Sequence, residues 1–236
     1  MKIFLVIITL LFAYILYISY PIYRAFKASM KIEEGTVAFK QHPENPTMKI
    51  LVAGDSTAVG TGAKDNKEST AGRLGQDFPE ADIVNIGENG LKLEGLNKKL
   101  DELETAHYDL VLLQIGANDI VGRTPYKEIE IEFSAVLNKT TALGTKVIVV
   151  TSGNIGLSPI FKFPLNTYIS YRTVKVHNIF KKQIADQPSV SFVELYKEAK
   201  DDIFIKDISR YYASDLFHPS GDGYAVWYEG IKKVIY

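Results

Sequence analysis

Lys49-Ile50-Leu51-Val52-Ala53-Gly54-Asp55-Ser56-Thr57 carries the pattern on which the fold turns. Four consecutive apolar residues leave no polar face, as in a short strand buried on both sides. The run passes directly into small and polar residues, the makings of a tight turn. Four more stretches read as strands, at Asp82–Ile86, Asp109–Ile115, Lys146–Val150 and Ser189–Val193. Helical patterns separate them. Ser69–Phe78 is the first, and Leu91–Leu103 places Leu93, Leu96, Leu100 and Leu103 on one face. A third begins with Thr124 as cap and Pro125 at its first position, turns Ile129, Phe133, Val136 and Leu137 inward, and ends at Gly144. Leu165–Ile184 has Ile169, Thr173, Val176, Phe180 and Ile184 on one side. Ser220 is the expected cap of a last helix, with Asp222 favourable in its first turn. Apolar strands alternating with helices predict a parallel sheet covered on both faces. Sites in such sheets collect at the carboxyl ends of the strands.

Outside this region the chain changes character. Ile3–Tyr23 contains no charged residue. As a helix it would rise about 1.5 Å per residue and cross about 30 Å, the thickness of a bilayer core. Tyr17, Tyr20 and Tyr23 cluster at its far end, where aromatic rings favour the headgroup region. A cleaved signal peptide would have a shorter apolar run followed by small residues. Here Tyr23-Arg24-Ala25-Phe26-Lys27 follows, so residues 1–23 are expected to be an uncleaved transmembrane anchor. Residues 24–47 form a connector, helical at first and then broken by Gly35, Pro43, Asn45 and Pro46. Residues 48–236 form the soluble domain. The formal net charge of -1 argues against a nucleic-acid footprint. With no cysteine there is no disulfide framework, thiolate metal site or cysteine nucleophile.

The turns after the strands carry the chemistry. Ser56, after the first strand, can be held exposed in a tight turn. The surrounding residues are neither a Gly-x-Ser-x-Gly elbow nor a P-loop, and no Gly-x-Gly-x-x-Gly occurs there. The second strand runs into Asn85-Ile86-Gly87-Glu88-Asn89-Gly90, where glycines allow close backbone approach to a ligand. The third runs into Gly116-Ala117-Asn118-Asp119, whose asparagine amide is a good oxyanion donor. Near the C-terminus, Asp215-Leu216-Phe217-His218-Pro219 can bring a carboxylate to an imidazole, and Pro219 keeps His218 extended. His42, His107 and His177 are read as structural or solvated.

Together these four pieces resemble the SGNH/GDSL hydrolase family. The blocks occur in the family's order: Gly54-Asp55-Ser56, the glycine block 85–90, Gly116-x-Asn118-Asp119, and Asp215-x-x-His218. The first departs from the family's Gly-Asp-Ser-Leu by ending in Thr57. The resemblance implies a three-layer α/β/α sandwich on a five-stranded parallel sheet, flavodoxin-like in topology. It implies Ser56, Asp215 and His218 as catalytic residues. The oxyanion donors would be Ser56, Gly90 and Asn118, with Gly87 second to Gly90. The chemistry would be ester hydrolysis through an acyl-serine, needing no metal or organic cofactor. An acyltransferase on the same triad, or an idle membrane-anchored binding module, remain alternatives. The apolar stretches 155–164 and 203–212 point to an acyl ester, lysophospholipid or acylated glycan; the first would line an acyl pocket or rest on the membrane. Lys2 precedes the span, whereas Arg24, Lys27 and Lys31 follow it, a bias towards a cytoplasmic domain. Family habit favours the exported side, and the domain is expected there.

Overall fold

The computed structural model describes residues 2–103 and 106–235, so the expected ends of the anchor and of the domain, Met1 and Tyr236, lie outside the described residues. Helix α1 (Lys2–Gly35) is followed by β1 (Met48–Gly54), α2 (Ser56–Val59), α3 (Thr70–Asp77), β2 (Ala81–Asn85), α4 (Leu93–Asp101) and β3 (Tyr108–Gln114). Then come α5 (Ala117–Val121), α6 (Tyr126–Leu143), β4 (Gly144–Val150), α7 (Leu165–Ile184), β5 (Val190–Val193), α8 (Ile208–Tyr211) and α9 (Gly221–Ile235).

The strands form one sheet in the order β2-β1-β3-β4-β5, every pair parallel. The chain is an α/β sandwich, as its alternating pattern predicts. Because strand side chains alternate, each apolar run serves two cores at once. Leu51, Val111 and Val147 stand in register on one face, packed with Leu96, Phe133 and Val176 from α4, α6 and α7. Val52, Leu112 and Ile148 stand in register on the other, packed with Leu74 of α3 and Ile231 of α9. Removing water from both faces explains why the central strands β1, β3 and β4 have no polar side in their middle.

One detail differs from the sequence reading. Thr124 does not cap α6, which begins one residue later than expected with Pro125 before it. Thr124 instead gives its N–H to the Asp119 carbonyl and its own carbonyl to Arg172, closing the turn after α5. Ser220 does cap α9, its Oγ accepting from the Gly223 N–H at 3.2 Å. Helix α1 runs past Pro21 as far as Gly35.

The segment after α1 covers the edge of the sheet. Gln41 pairs with Ile83 of β2 through both backbone bonds, and its side-chain amide donates to the carbonyls of Phe78, Pro79 and Ala81. An otherwise open edge is thereby occupied.

Strand order also positions the site. From β1 the chain steps to β2 on one side, then crosses to β3 on the other. The resulting crevice lies at the carboxyl ends of β1 and β3.

Candidate active site

Gly54 ends β1 with φ +143, and a Cβ there would fall 1.7 Å from the Gln114 carbonyl oxygen of β3. Only glycine lets the two strands stay this close where the turn begins. Asp55 then caps α2. Its carboxylate accepts from the Thr57 N–H at 2.9 Å and the Thr57 hydroxyl at 2.8 Å. Burial pushes the Asp55 carboxyl up to about 6, against the pull of those bonds. Ser56, the first residue of α2, is thus fixed at the mouth of the crevice.

The turn bearing His218 is built separately, between α8 and α9. Asp215 Oδ1 accepts from the Phe217 and His218 backbone N–H groups, each at 3.0 Å. Leu216 takes a left-handed φ of +61, and Ala213 N–H donates to the His218 carbonyl at 2.8 Å. From outside the turn, Ser158 Oγ donates to the Leu216 carbonyl at 2.7 Å. The Phe217 ring stands edge-on to His218, with 5.2 Å between ring centroids.

These two constructions meet. His218 Nδ1–H donates to Asp215 Oδ2 at 2.6 Å, and Ser56 Oγ–H donates to His218 Nε2 at 2.9 Å. The carboxylate selects the tautomer that leaves Nε2 free to accept. All three residues are buried. Burial would raise the Asp215 carboxyl, but the imidazole contact and two backbone donors outweigh it and hold the carboxyl below its ordinary value.

Donors gather on the other side of Ser56. The two glycines of the second block differ. Gly87 gives its N–H to Asn85 Oδ1 at 2.9 Å, while Asn85 Nδ2 donates to the Ala58 carbonyl at 2.8 Å. Gly90 has φ +75, open space where a Cβ would stand, and no protein acceptor for its N–H among the described residues. Asn118 uses one amide hydrogen on the Leu91 carbonyl at 3.0 Å, tying the β3 loop to the Gly90 loop, and its second hydrogen remains for a ligand. Asp119 supports the same loop by accepting the Leu93 N–H at 3.1 Å; burial raises its carboxyl.

A cavity of about 390 Å³ opens between Ser56, His218 and Asn118. Ile155, Ile203, Phe204 and Trp227 give it an apolar wall. The stretches 155–164 and 203–212 therefore both contribute to it, but unevenly. Ile160 and Phe161 turn into the core, and Phe163 is 71% exposed.

The other histidines sit elsewhere. His42 contacts Asp82 at 2.6 Å, and His107 contacts Thr145 at 2.9 Å. His177 is buried, donating from Nδ1 to Glu194 at 3.0 Å. Burial, reinforced by Lys181, depresses its pKa to about 3. Among the described residues no cluster of three or more histidine, aspartate and glutamate side chains is arranged to hold a metal ion.

One supporting residue escaped the sequence reading. Arg172 of α7 is buried and donates to the carbonyls of Asp119, Ile120 and Thr124, its guanidinium 4.7 Å from the Tyr126 ring centroid. It holds the carboxyl end of α5 and so the loop bearing Asn118. An arginine on the inward, largely apolar face of α7 was the available signal.

At the switch point of the parallel sheet stands a hydrogen-bonded Ser-His-Asp series, and the family match supports an ester-hydrolysing enzyme. The chain belongs to the GDSL-like Lipase/Acylhydrolase family, whose model matches residues 52–226. Solved structures share the fold. A lipolytic protein of the G-D-S-L family from Veillonella parvula DSM 2008 is 16% identical with a TM-score of 0.61, covering 80% of this chain and 98% of its own. An acetylxylan esterase from Geobacillus stearothermophilus is 21% identical with a TM-score of 0.53, covering 80% and 94%. The psychrotrophic esterase EstA from Pseudoalteromonas sp. is 18% identical with a TM-score of 0.57, covering 79% and 96%. No curated protein sequence matches the chain.

Proposed function

We propose that this chain is a membrane-anchored serine hydrolase that cleaves carboxylic esters or thioesters through an acyl-enzyme on Ser56. The observation that carries the reading is the hydrogen-bonded series Ser56–His218–Asp215 beside an apolar cavity. Ser56 Oγ attacks the substrate carbonyl while His218 Nε2 takes its proton. The negative charge that develops on the carbonyl oxygen is met by the Ser56 and Gly90 N–H groups and the free Asn118 amide hydrogen. His218 then returns the proton to the leaving alcohol or thiol. Water, activated by the same imidazole, releases the acid and restores Ser56. Asp215 keeps the ring oriented and stabilises the imidazolium.

The cavity wall suits an acyl chain, so lysophospholipid, short acyl ester and acylated glycan are the substrate classes of choice. Residues 1–23 serve as anchor, 24–47 as connector and 48–236 as the hydrolase domain. The anchor is supported by an α1 window of mean hydropathy 2.4, none of whose residues folding buries. The catalytic domain is assigned to the extracytoplasmic side, and protease access in intact against lysed cells tests that assignment.

Ser56→Ala tests the chemistry. It removes the attacking oxygen, adds no bulk, and should abolish turnover of a short nitrophenyl ester while leaving thermal unfolding unchanged. Wild-type turnover in this variant would refute the mechanism.

A further inference from the structure

Helix α1 does not stand apart from the domain. Its Tyr14 hydroxyl donates to the Phe163 carbonyl at 2.9 Å. Ile22 packs against the larger apolar cluster, and Ala25 is buried in it. Further along, Ile32 lines a cleft with Ala213 and Leu216, the latter in the turn that carries His218.

The 155–164 segment links the two regions. Ser158 is bonded to the Leu216 carbonyl, and Phe161 meets Phe217 edge-on with centroids 6.3 Å apart. Its tip is left bare. Phe163 is 71% exposed, and the next turns of α7 expose Tyr168 and Tyr171 at 43% and 55%. None of the three lines the cavity, so their exposure is not explained by contact with substrate there. The Lys175 ammonium lies over the Tyr171 ring at 5.4 Å. Bare aromatic rings beside a lysine are the composition of a membrane–water interface. The Tyr14 bond sets Phe163 deeper than these tyrosines, because Tyr14 lies near the middle of Ile3–Tyr23. A hydroxyl in hydrocarbon has no water to bond, and the Phe163 carbonyl satisfies it.

We propose that Phe163 enters the hydrocarbon of the bilayer that α1 crosses while Tyr168 and Tyr171 seat in its interfacial layer, so that the cavity at Ser56 draws its substrate, a membrane-resident amphiphilic ester, from the lipid phase. The proposal rests on the anchor and esterase readings above. It commits the surface to lipid rather than to a protein partner, because its tip is continuous with the apolar face of α1.

The test uses the full chain in phosphatidylcholine vesicles whose acyl chains carry bromine, a contact quencher of tryptophan. The native Trp227 is 7% exposed, and its emission in the wild-type chain sets the background. Phe163→Trp should gain a quenched emission component that wild type lacks. Two nitrophenyl esters then separate the phases: the acetate in water and the palmitate dissolved in the vesicles. Phe163→Asp should lower kcat/KM on the palmitate about tenfold or more, the scale of losing one aromatic anchor, and leave the acetate within about twofold. A chain that does not float with the vesicles overturns both the anchor and the docking surface. A chain that floats but shows no added quenching at position 163 overturns the docking surface alone. Equal loss on both esters, or wild-type hydrolysis of the acetate only, overturns supply from the lipid phase. Activity on neither ester refutes the hydrolase reading and the substrate claim with it, while quenching still decides where Phe163 sits.

Discussion

Replacing Asn118 by alanine separates transition-state stabilisation from scaffolding. One amide hydrogen of Asn118 holds the Leu91 carbonyl at 3.0 Å, and the other faces the cavity beside Ser56. Losing an oxyanion donor removes about 2.7–4 kcal/mol of transition-state stabilisation, or about 10²–10³ in kcat. Losing the Leu91 bond costs about 1 kcal/mol of folding stability, a fall in Tm of about 2–4 °C for a domain of this size. The loop should keep its place, because Asp119 still accepts the Leu93 N–H and Arg172 still holds the end of α5. KM should barely change, since the donor acts on charge that develops only in the transition state. The assay is steady-state hydrolysis of nitrophenyl acetate by the full chain in detergent, with thermal unfolding of the same preparations. A kcat within about threefold of wild type, or a loss confined to KM, would refute the role given to Asn118. A collapse of Tm would instead make it a structural residue.

Other outcomes follow from the same geometry. Asp215→Asn keeps an acceptor for the two backbone N–H groups but presents an amide to His218 Nδ1; kcat should fall about 10³–10⁴ with the fold intact, and a loss under tenfold would count against the carboxylate's role. His177, depressed from 6.5 to about 3, contributes stability that is full above 6.5 and is lost as pH falls towards 3. His177→Phe should therefore show a smaller drop in Tm between pH 7 and pH 4 than wild type, and parallel curves would contradict the assignment. Asp55 has the opposite sign: raised from 3.8 to about 6, its contribution is full below 3.8 and is lost as pH rises through 6. Asp55→Asn, whose amide oxygen still accepts from Thr57, should gain up to about 3 kcal/mol over wild type between pH 4 and pH 8, and no relative gain would show the carboxyl is not raised. Gly54→Ala drives a Cβ to 1.7 Å from the Gln114 carbonyl and should fail to give soluble folded protein; a wild-type Tm would refute the close approach of β1 and β3.

The central strands β1, β3 and β4 were legible because burial on both faces leaves an uninterrupted apolar run, a signal that needs no tertiary context; the edge strands β2 and β5, only partly buried and broken by Asp82 and Ser191, were read from shorter apolar stretches. The long helices were legible from their inward stripes, whereas α2, α5 and α8 were not. Each is a single turn held by particular contacts, such as Asp55 on Thr57 and Arg172 on Ile120. Thr124 shows the same limit. It has the residue type of a cap and sits before a proline, but its backbone closes the α5 turn instead. Ser56, Asn118, Asp215 and His218 could be picked out because each follows a strand or stands in a short turn motif. The resemblance already ranked Gly90 above Gly87, and the structure adds a physical difference between them, the internal acceptor that the Gly87 N–H has in Asn85 Oδ1. The bond from Ser158 to Leu216 joins segments distant in sequence, and no local pattern announces it.

The central claim is that Ser56 is a nucleophile activated by His218 and Asp215. Incubating the full chain with a fluorophosphonate and mapping the adduct by peptide mass spectrometry tests it most directly. The account predicts a single adduct on Ser56, absent from Ser56→Ala and formed far more slowly in Asp215→Asn. Folded wild-type protein that takes no label, or takes it on another residue, would contradict the account.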